Sequence, residues 1–226
     1  RAVITRFTSK LLAELEPRVR AIAQDVMQQI TEPTTVNFVE SLSGDLPTAV
    51  ICSMLEIPRD MWPTIRRWSD LQTSGTDPDL GGTPVTVNQA SVEMGTYGFE
   101  LACERKDAGG EDLISLLINQ EVDGEKVSEM EFASLFVQLT VAGNETTRGL
   151  ISSGMHQLLQ QPELLQQLRE HPEQLPPAIE EIRRGPWPLH YFRSTAVSAT
   201  GTHAHQCSPG THVVWRHTRD DTHDEE

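Results

Sequence analysis

Residues 139–149 read LTVAGNETTRG, and they place an acid and two hydroxyls, Glu145, Thr146 and Thr147, in the middle of a long, largely apolar stretch. Phe132, Leu135, Phe136, Leu139, Val141 and Ala142 lead in, and Leu150 and Ile151 lead out. The apolar positions recur at helical spacing. Ser128 and Glu131 form a capping box at its start. The spacing therefore predicts one helix over residues 128–159, on the order of 45 Å long at 1.5 Å per residue. A helix of that length must cross a domain, with its centre buried. Buried positions are costly for an acid unless it is hydrogen-bonded or its proton is used. Ala142 and Gly143 beside it are small enough for a large flat ligand to lie against the helix, and a glycine lets the backbone open to water. An acid, an alcohol and a close backbone approach together suit proton delivery beside a bulky planar ligand.

Working outward, the rest of the chain also has helical period. SKLLAELEPRVRAIAQDVMQQI carries one broad apolar face, with Ser9 as a cap; LPTAVICSMLEIP starts at Pro47 and stops near Pro58; a short helix surrounds MWPTIRRWSDL. TSGTDPDLGGTPV, rich in Gly, Pro and Asp, reads as a surface loop, and a helix follows from about Asn88 to Lys106. EDLISLLINQ is a short helix, EVDGEKVS a hairpin about an Asp-Gly turn, and two more helices surround PELLQQLREH and PPAIEEIRRG. Within the last, Glu181 and Arg184 stand three apart, on one helix face, and can pair. After Arg193 the chain is poor in Leu and Ile and crowded with His and Thr; only HYFRSTAV and THVVWRH read as strands.

Composition bounds the partners. With 33 acids against 18 bases among 226 residues, the net charge is −15. That excludes nucleic-acid backbones and anionic membrane surfaces as natural partners. Three cysteines, Cys52, Cys103 and Cys207, give no disulfide framework, and a cytoplasmic location is the expectation. No apolar run approaches a membrane span.

AGNETT, then EEIRR, then PLHYFRSTA, in this order and spacing, resemble a soluble bacterial cytochrome P450, and the resemblance covers nearly the whole chain. It implies a mainly α, P450-like helical fold with a small β-sheet portion near the C-terminus. Residues 1–226 would be a single partial domain: the central oxygen-binding helix at about 128–159, the Glu-x-x-Arg helix at about 178–185, and a degenerate strand region at 190–226. The resemblance further implies haem as cofactor, with Glu145 and Thr146 as the acid–alcohol pair that relays protons beside the iron. Ala142 and Gly143 would be the small residues over the haem face, Arg193 the partner of a haem propionate, and Glu181 with Arg184 a structural pair supporting the haem-binding core. The implied reaction is R–H + O2 + 2 e⁻ + 2 H⁺ → R–OH + H2O on a small lipophilic substrate. Electrons would come from a ferredoxin-type donor with a NAD(P)H-dependent reductase.

The family's axial ligand is a Cys thiolate, in a Phe-Gly-rich loop well beyond the Glu-x-x-Arg helix. GTHAHQCSPG imitates that loop only superficially: it lacks the Phe, and Cys207 follows Arg184 too closely. The expectation is an axial cysteine beyond Glu226, and a chain representing an internal piece of the enzyme, inactive alone. Two other readings stand beside this one. The chain could be a non-catalytic relic with the family's scaffold. Alternatively, His203, His205, His212, His217 and His223 could mark a His-rich metal-binding protein.

Overall fold

A computed structural model describes residues 9–30, 35–75, 77, 79, 81–108, 110, 113–122, 124–184, 191–195, 200–202, 205–207 and 212–216. Eight helices carry the described fold: α1 (Ser9–Gln28), α2 (Asp45–Met54), α3 (Trp62–Thr73), α4 (Pro84–Arg105), α5 (Leu113–Ile118), α6 (Glu129–Gln160), α7 (Pro162–Glu170) and α8 (Leu175–Arg184). A π-helical turn at Val39–Ser43 leads into α2, and a 3-10 turn at Arg59–Met61 leads into α3. Contacts divide the chain into two compact units, Arg1–Arg148 and Gly149–Glu226, the division falling within α6.

Local chemistry accounts for where the helices start. The backbone N–H of Ser128 donates to Glu131 Oε2 at 2.9 Å, and the N–H of Glu131 donates back to Ser128 Oγ at 3.3 Å. Two orphan donors are thereby satisfied at the mouth of α6. The Ser128 contacts hold the Glu131 carboxyl below its ordinary value. The loop-to-helix boundary expected near Asn88 lies earlier, at Pro84. There Thr83 accepts from the Thr86 N–H at 3.1 Å while the Thr83 N–H donates to Thr86 Oγ1 at 2.9 Å. A threonine closes that box in place of the usual Glu or Gln. The expected hairpin forms as β1 (Glu121–Val122) against β2 (Glu125–Lys126), with Gly124 at φ +88° turning the chain.

In the first unit the core gathers around α6. Phe132 and Phe136 are buried together with Ile65 and Trp68 of α3, Met94 and Leu101 of α4, and Ile114, Leu117 and Ile118 of α5. Rings run in contact from Trp68 to Tyr97 (centroids 6.1 Å apart) to Phe136 (6.0 Å, edge-on). Gly98 makes this possible: a Cβ there would stand 2.8 Å from Phe136 Cδ1. A smaller cluster joins Ile22 and Val26 of α1 to Ala49 of α2. In the second unit Gly154 of α6 meets Ile182 of α8 in the same way, at 2.8 Å from where a Cβ would lie.

The mainly α, P450-like expectation agrees with this architecture; the expected small β-sheet portion near the C-terminus does not. The well-packed body is helical. After α8 there are only short antiparallel pairings, β3 (Tyr191–Thr195) with β6 (His212–Arg216) and β4 (Thr200–Thr202) with β5 (His205–Cys207). These ladders do not join into a larger sheet among the described residues. The physical reason lies in composition. A sheet needs three or more strands or an apolar face to stand by itself, and the His- and Thr-rich sequence here has lost the Leu and Ile that would make one.

Candidate functional site

Helix α6 is unbroken through Gly143. Its rotation sorts the polar residues of the opening motif into three directions. Asn144 is buried, at 1% exposure; Glu145 and Thr146 are half-buried; Ala142, Gly143 and Thr147 are exposed. Between Ala142 and Thr147 the most deeply buried polar side chain is therefore the asparagine, not the acid. Thr140, one turn earlier, is also buried, with its hydroxyl donating to the Phe136 carbonyl at 2.8 Å.

Glu145 is not isolated. Arg148, three residues on, donates one guanidinium nitrogen to Glu145 Oε2 and another to Asp70 Oδ1 of α3. Asp70 in turn lies 3.8 Å from Arg66 Nε, and Arg66 donates to Asp45 at the start of α2 and to the Glu40 carbonyl at 2.9 Å. Charges thus alternate from α2 through α3 to α6. A cleft of about 640 Å³ bounded by α1, α2 and α3 has Asp45, Thr48, Arg66 and Asp70 in its wall, so the outer end of this chain of charges meets water.

At the inner end, Glu145 keeps only 17% of its side chain exposed and Arg148 22%. Burial raises the Glu145 carboxyl above its ordinary value; Arg148 opposes the shift, Asp70 adds to it, and Thr73 and Arg66 oppose it. The Thr73 hydroxyl is committed to the Ser69 and Asp70 carbonyls at 3.0 and 3.2 Å. Glu145 Oε1 is left buried with no hydrogen-bond partner. This is an acid poised to take a proton: one oxygen is held by a cation, the other is free and desolvated.

The Thr146 hydroxyl donates to the Ala142 carbonyl at 2.7 Å, so its oxygen retains lone pairs for an incoming donor. Gly143 faces α2: a Cβ there would lie 3.6 Å from Ile51 Cδ1, an ordinary contact. Beside it, Thr48 Oγ1 of α2 is 3.0 Å from Asn144 Oδ1.

Glu181 and Arg184 do meet, at 3.0 Å, but with 71% and 73% of their side chains exposed. Their neighbours Glu180 and Arg183 make a parallel pair at 2.7 Å. The Arg193 backbone pairs with Val214 across β3 and β6; its side chain lies outside the described residues, as does that of Cys207 on β5. His203, His217 and His223 lie outside them altogether, as do the side chains of His205 and His212. Among the described residues no group of three or more His, Cys, Asp or Glu could hold a metal ion, and no helix is long and apolar enough to cross a membrane. Cys52 is buried on α2, its thiol pushed up to about 12 by desolvation, and Cys103 is exposed on α4.

Arg148, Asp70, Asn144 and Thr48 were not singled out by the sequence. Arg148 had a signal, since it repeats the Glu-x-x-Arg spacing used to pick out Glu181 and Arg184. The others had none: Thr48 and Asn144 are 96 positions apart.

No family model matches the chain. Among curated proteins, it is 35% identical over 216 residues to a steroid C26-monooxygenase of Mycolicibacterium smegmatis, covering 95% of this chain and 49% of that protein. It is 36% identical over 200 residues to a methyl-branched lipid omega-hydroxylase of Mycobacterium tuberculosis, covering 86% of this chain and 47% of the other. Among solved structures, a Mycobacterium marinum cytochrome P450 in complex with pseudoionone superposes with a TM-score of 0.85 at 29% identity, over 95% of this chain and 53% of that one. The chain spans about half the length of the relatives it matches. With the helical order, the acid–alcohol motif on α6 and these likenesses together, the chain belongs to the cytochrome P450 superfamily.

Proposed function

We propose that this chain supplies the oxygen-side half of a haem-thiolate monooxygenase, with Glu145 and Thr146 delivering protons for the insertion of one atom of O2 into a small lipophilic substrate. The observation that carries the reading is the Glu145 carboxyl, half-buried, raised by desolvation and with one oxygen unpartnered. Such a group takes up and releases a proton closer to neutrality than an ordinary glutamate. The Thr146 hydroxyl, one residue on, gives its single proton to the Ala142 carbonyl and so is placed to accept a hydrogen bond; handing its own proton on requires it to leave that carbonyl. Arg148 holds the carboxylate after it has given up its proton, which keeps the ionised form from being prohibitively costly.

The residues present fit one side of a haem. Ala142, exposed and small, and Thr146 lie on the side of α6 away from Asn144, while Gly143, also exposed, lies about a quarter turn round, beside Ile51 of α2. Arg193 is proposed as a propionate partner and Glu181 with Arg184 as support for the haem-binding core, both by the family pattern. Cys52 is ill suited to be the thiolate, because it is buried and desolvation pushes its thiol up to about 12. A cysteine beyond Glu226 is the proposed source. Bound haem supplies the iron that activates dioxygen; the steps assigned to this chain are proton transfer and positioning.

A lipophilic substrate is supported by what the relatives act on or hold. They include a steroid C26-monooxygenase, a methyl-branched lipid hydroxylase, and a Bacillus megaterium enzyme solved with testosterone. A ferredoxin-type donor with a NAD(P)H-dependent reductase is the electron source we propose.

The test uses the protein extended through the expected cysteine loop. Changing Glu145→Gln together with Thr146→Ala should leave haem uptake and substrate binding intact while product formation falls roughly 100-fold, the scale of a lost general acid. Normal turnover in that variant, or failure of the extended protein to take up porphyrin, would refute the reading.

A further inference from the structure

Helix α6 meets α2 through two neighbouring residues of unlike character. Ile51 lies against Gly143, an apolar contact without direction, whereas Thr48 Oγ1 lies 3.0 Å from Asn144 Oδ1. Both polar side chains are almost wholly buried, Thr48 at 3% and Asn144 at 1% exposure. Removing two polar groups from water in this way needs a return, and net stability is a poor one. A buried hydrogen bond contributes little over an apolar pair of the same shape.

The hydrogen-bond arithmetic at this junction is also tight. Thr48 has one hydroxyl proton, yet it stands 3.0 Å from both the Gly44 carbonyl and Asn144 Oδ1. Asn144 Nδ2, meanwhile, is buried with no partner. The two ends of an amide are assigned from such networks rather than seen. Turning the Asn144 amide over lets its NH2 donate to Thr48 Oγ1 while Thr48 donates to Gly44, so every buried proton at the junction but one has an acceptor. Either way the asparagine is bound to α2 in one direction.

Helix geometry gives that bond a consequence. Successive residues turn by about 100°, so Ala142 and Thr146 point roughly opposite to Asn144, and Glu145 points to one side. Fixing Asn144 against α2 therefore sends Thr146 to the open face and Glu145 toward α3, where Arg148 and Asp70 meet it. The Arg148 link cannot set this angle alone, because a long, partly exposed arginine can follow the helix as it turns. A single buried asparagine is known to specify register between packed helices at some expense of stability.

We infer that the Thr48–Asn144 bond fixes the rotation of α6, which makes Asn144 a positioning residue for Glu145 and Thr146. The use made of those two side chains rests on the function proposed above; the rotation does not.

The experiment compares wild type with Thr48→Val/Asn144→Leu, which replaces both polar groups by apolar ones of similar size. Two readouts are followed in the extended protein: the NMR titration of the Glu145 carboxyl, and the maleimide reactivity of Thr146→Cys in a background with Cys103→Ser and Cys207→Ser. The double variant should fold, the Glu145 midpoint should move down toward the ordinary glutamate value, and the reactivity at position 146 should fall several-fold. Thr48→Ser, which keeps the hydroxyl, should restore both. A folded double variant with both readouts at wild-type values would overturn the inference, and so would a Thr48→Ser variant as disturbed as Thr48→Val. If the double variant does not fold, Thr48→Ala takes its place: the same two displacements support the inference, and wild-type values in both overturn it. Neither readout needs bound haem or turnover, so a protein that takes up no porphyrin defeats the proposed function without touching this result.

Discussion

Of the Glu-x-x-Arg pairs on helices, Glu145–Arg148 on α6 and Glu181–Arg184 on α8 behave differently. Glu145 and Arg148 on α6 are largely buried and share their arginine with Asp70 of another helix. Glu181 and Arg184 on α8 have the same spacing and a similar contact, but more than two thirds of each side chain is in water. Spacing establishes that two residues can meet; it does not say in what dielectric. In water an ion pair at i, i+3 is nearly neutral in effect. With water largely excluded, the same pair shifts a carboxyl, leaves one oxygen orphaned and connects two helices.

The comparison breaks most readily at Arg148. Replacing it by methionine leaves Glu145 and Asp70 without their common cation. Breaking a fully buried pair costs about 3–5 kcal/mol. Here Asp70 is 40% exposed and Glu145 can escape by taking a proton, so a loss of about 2 kcal/mol in denaturant unfolding is expected. A loss indistinguishable from zero would mean that the α6 pair is no different from the α8 pair. A double-mutant cycle over Asp70→Asn and Arg148→Met sharpens the point. It should return a coupling of about 1 kcal/mol, since the two side chains are in contact and belong to one network. The same cycle over Glu181→Gln and Arg184→Met should return a few tenths at most.

How much of this is readable from the sequence follows the range over which each signal acts. The Ser128–Glu131 box is local, complete within four residues, and it marks the start of α6 correctly. The start of α4 escapes by one turn because Thr83 and Thr86 close a box without the expected acid, and Gly-Gly-Thr-Pro reads as loop. Glu145 and Thr146 are legible as polar residues out of place in an apolar helix. What lies around them is not: Asp70 is 78 positions from Arg148, and Thr48 is 96 from Asn144. Such pairs arise only when α2, α3 and α6 pack, and no local pattern encodes that packing. The strand region misleads for a related reason. β-Pairing can be guessed segment by segment, but whether ladders join into a sheet depends on a shared apolar face.

pH separates the two pairs further. Burial lifts the Glu145 carboxyl above its ordinary value of 4.5, so the folded chain holds that proton more tightly than the unfolded one. Stability from this group is fully present below 4.5 and is lost as the pH rises through the raised value. Glu145→Gln removes the loss. The stability of the variant should therefore decline less than that of wild type over the pH range from 4.5 upward toward neutrality. The difference should stay under about 1.4 kcal/mol for every tenfold by which folding tightens the carboxyl's hold on its proton. Difference curves that stay flat across the range would show that Glu145 titrates as an ordinary surface glutamate.

The smallest effect is expected at Arg184, and its smallness is informative. With 73% of its side chain exposed and Glu181 at 71%, the attraction of the pair is screened by water and salt and offset by the entropy of holding two long side chains together. Arg184→Met in this chain should change stability by less than about 0.5 kcal/mol, with little dependence on ionic strength. Arg183 stands beside it, paired with Glu180, so the last turn of α8 keeps a cation near its C-terminal carbonyls when Arg184 is lost. A loss several times larger would require Arg184 to be shielded by something other than Glu181. The protein extended past Glu226 offers the direct contrast. If Arg184 supports a haem-binding core as proposed, the same substitution there should abolish porphyrin uptake while remaining nearly silent in the 226-residue chain. An equally silent substitution in both would remove Arg184 from the candidate site and leave Glu145–Arg148 as the pair of this spacing with a functional claim.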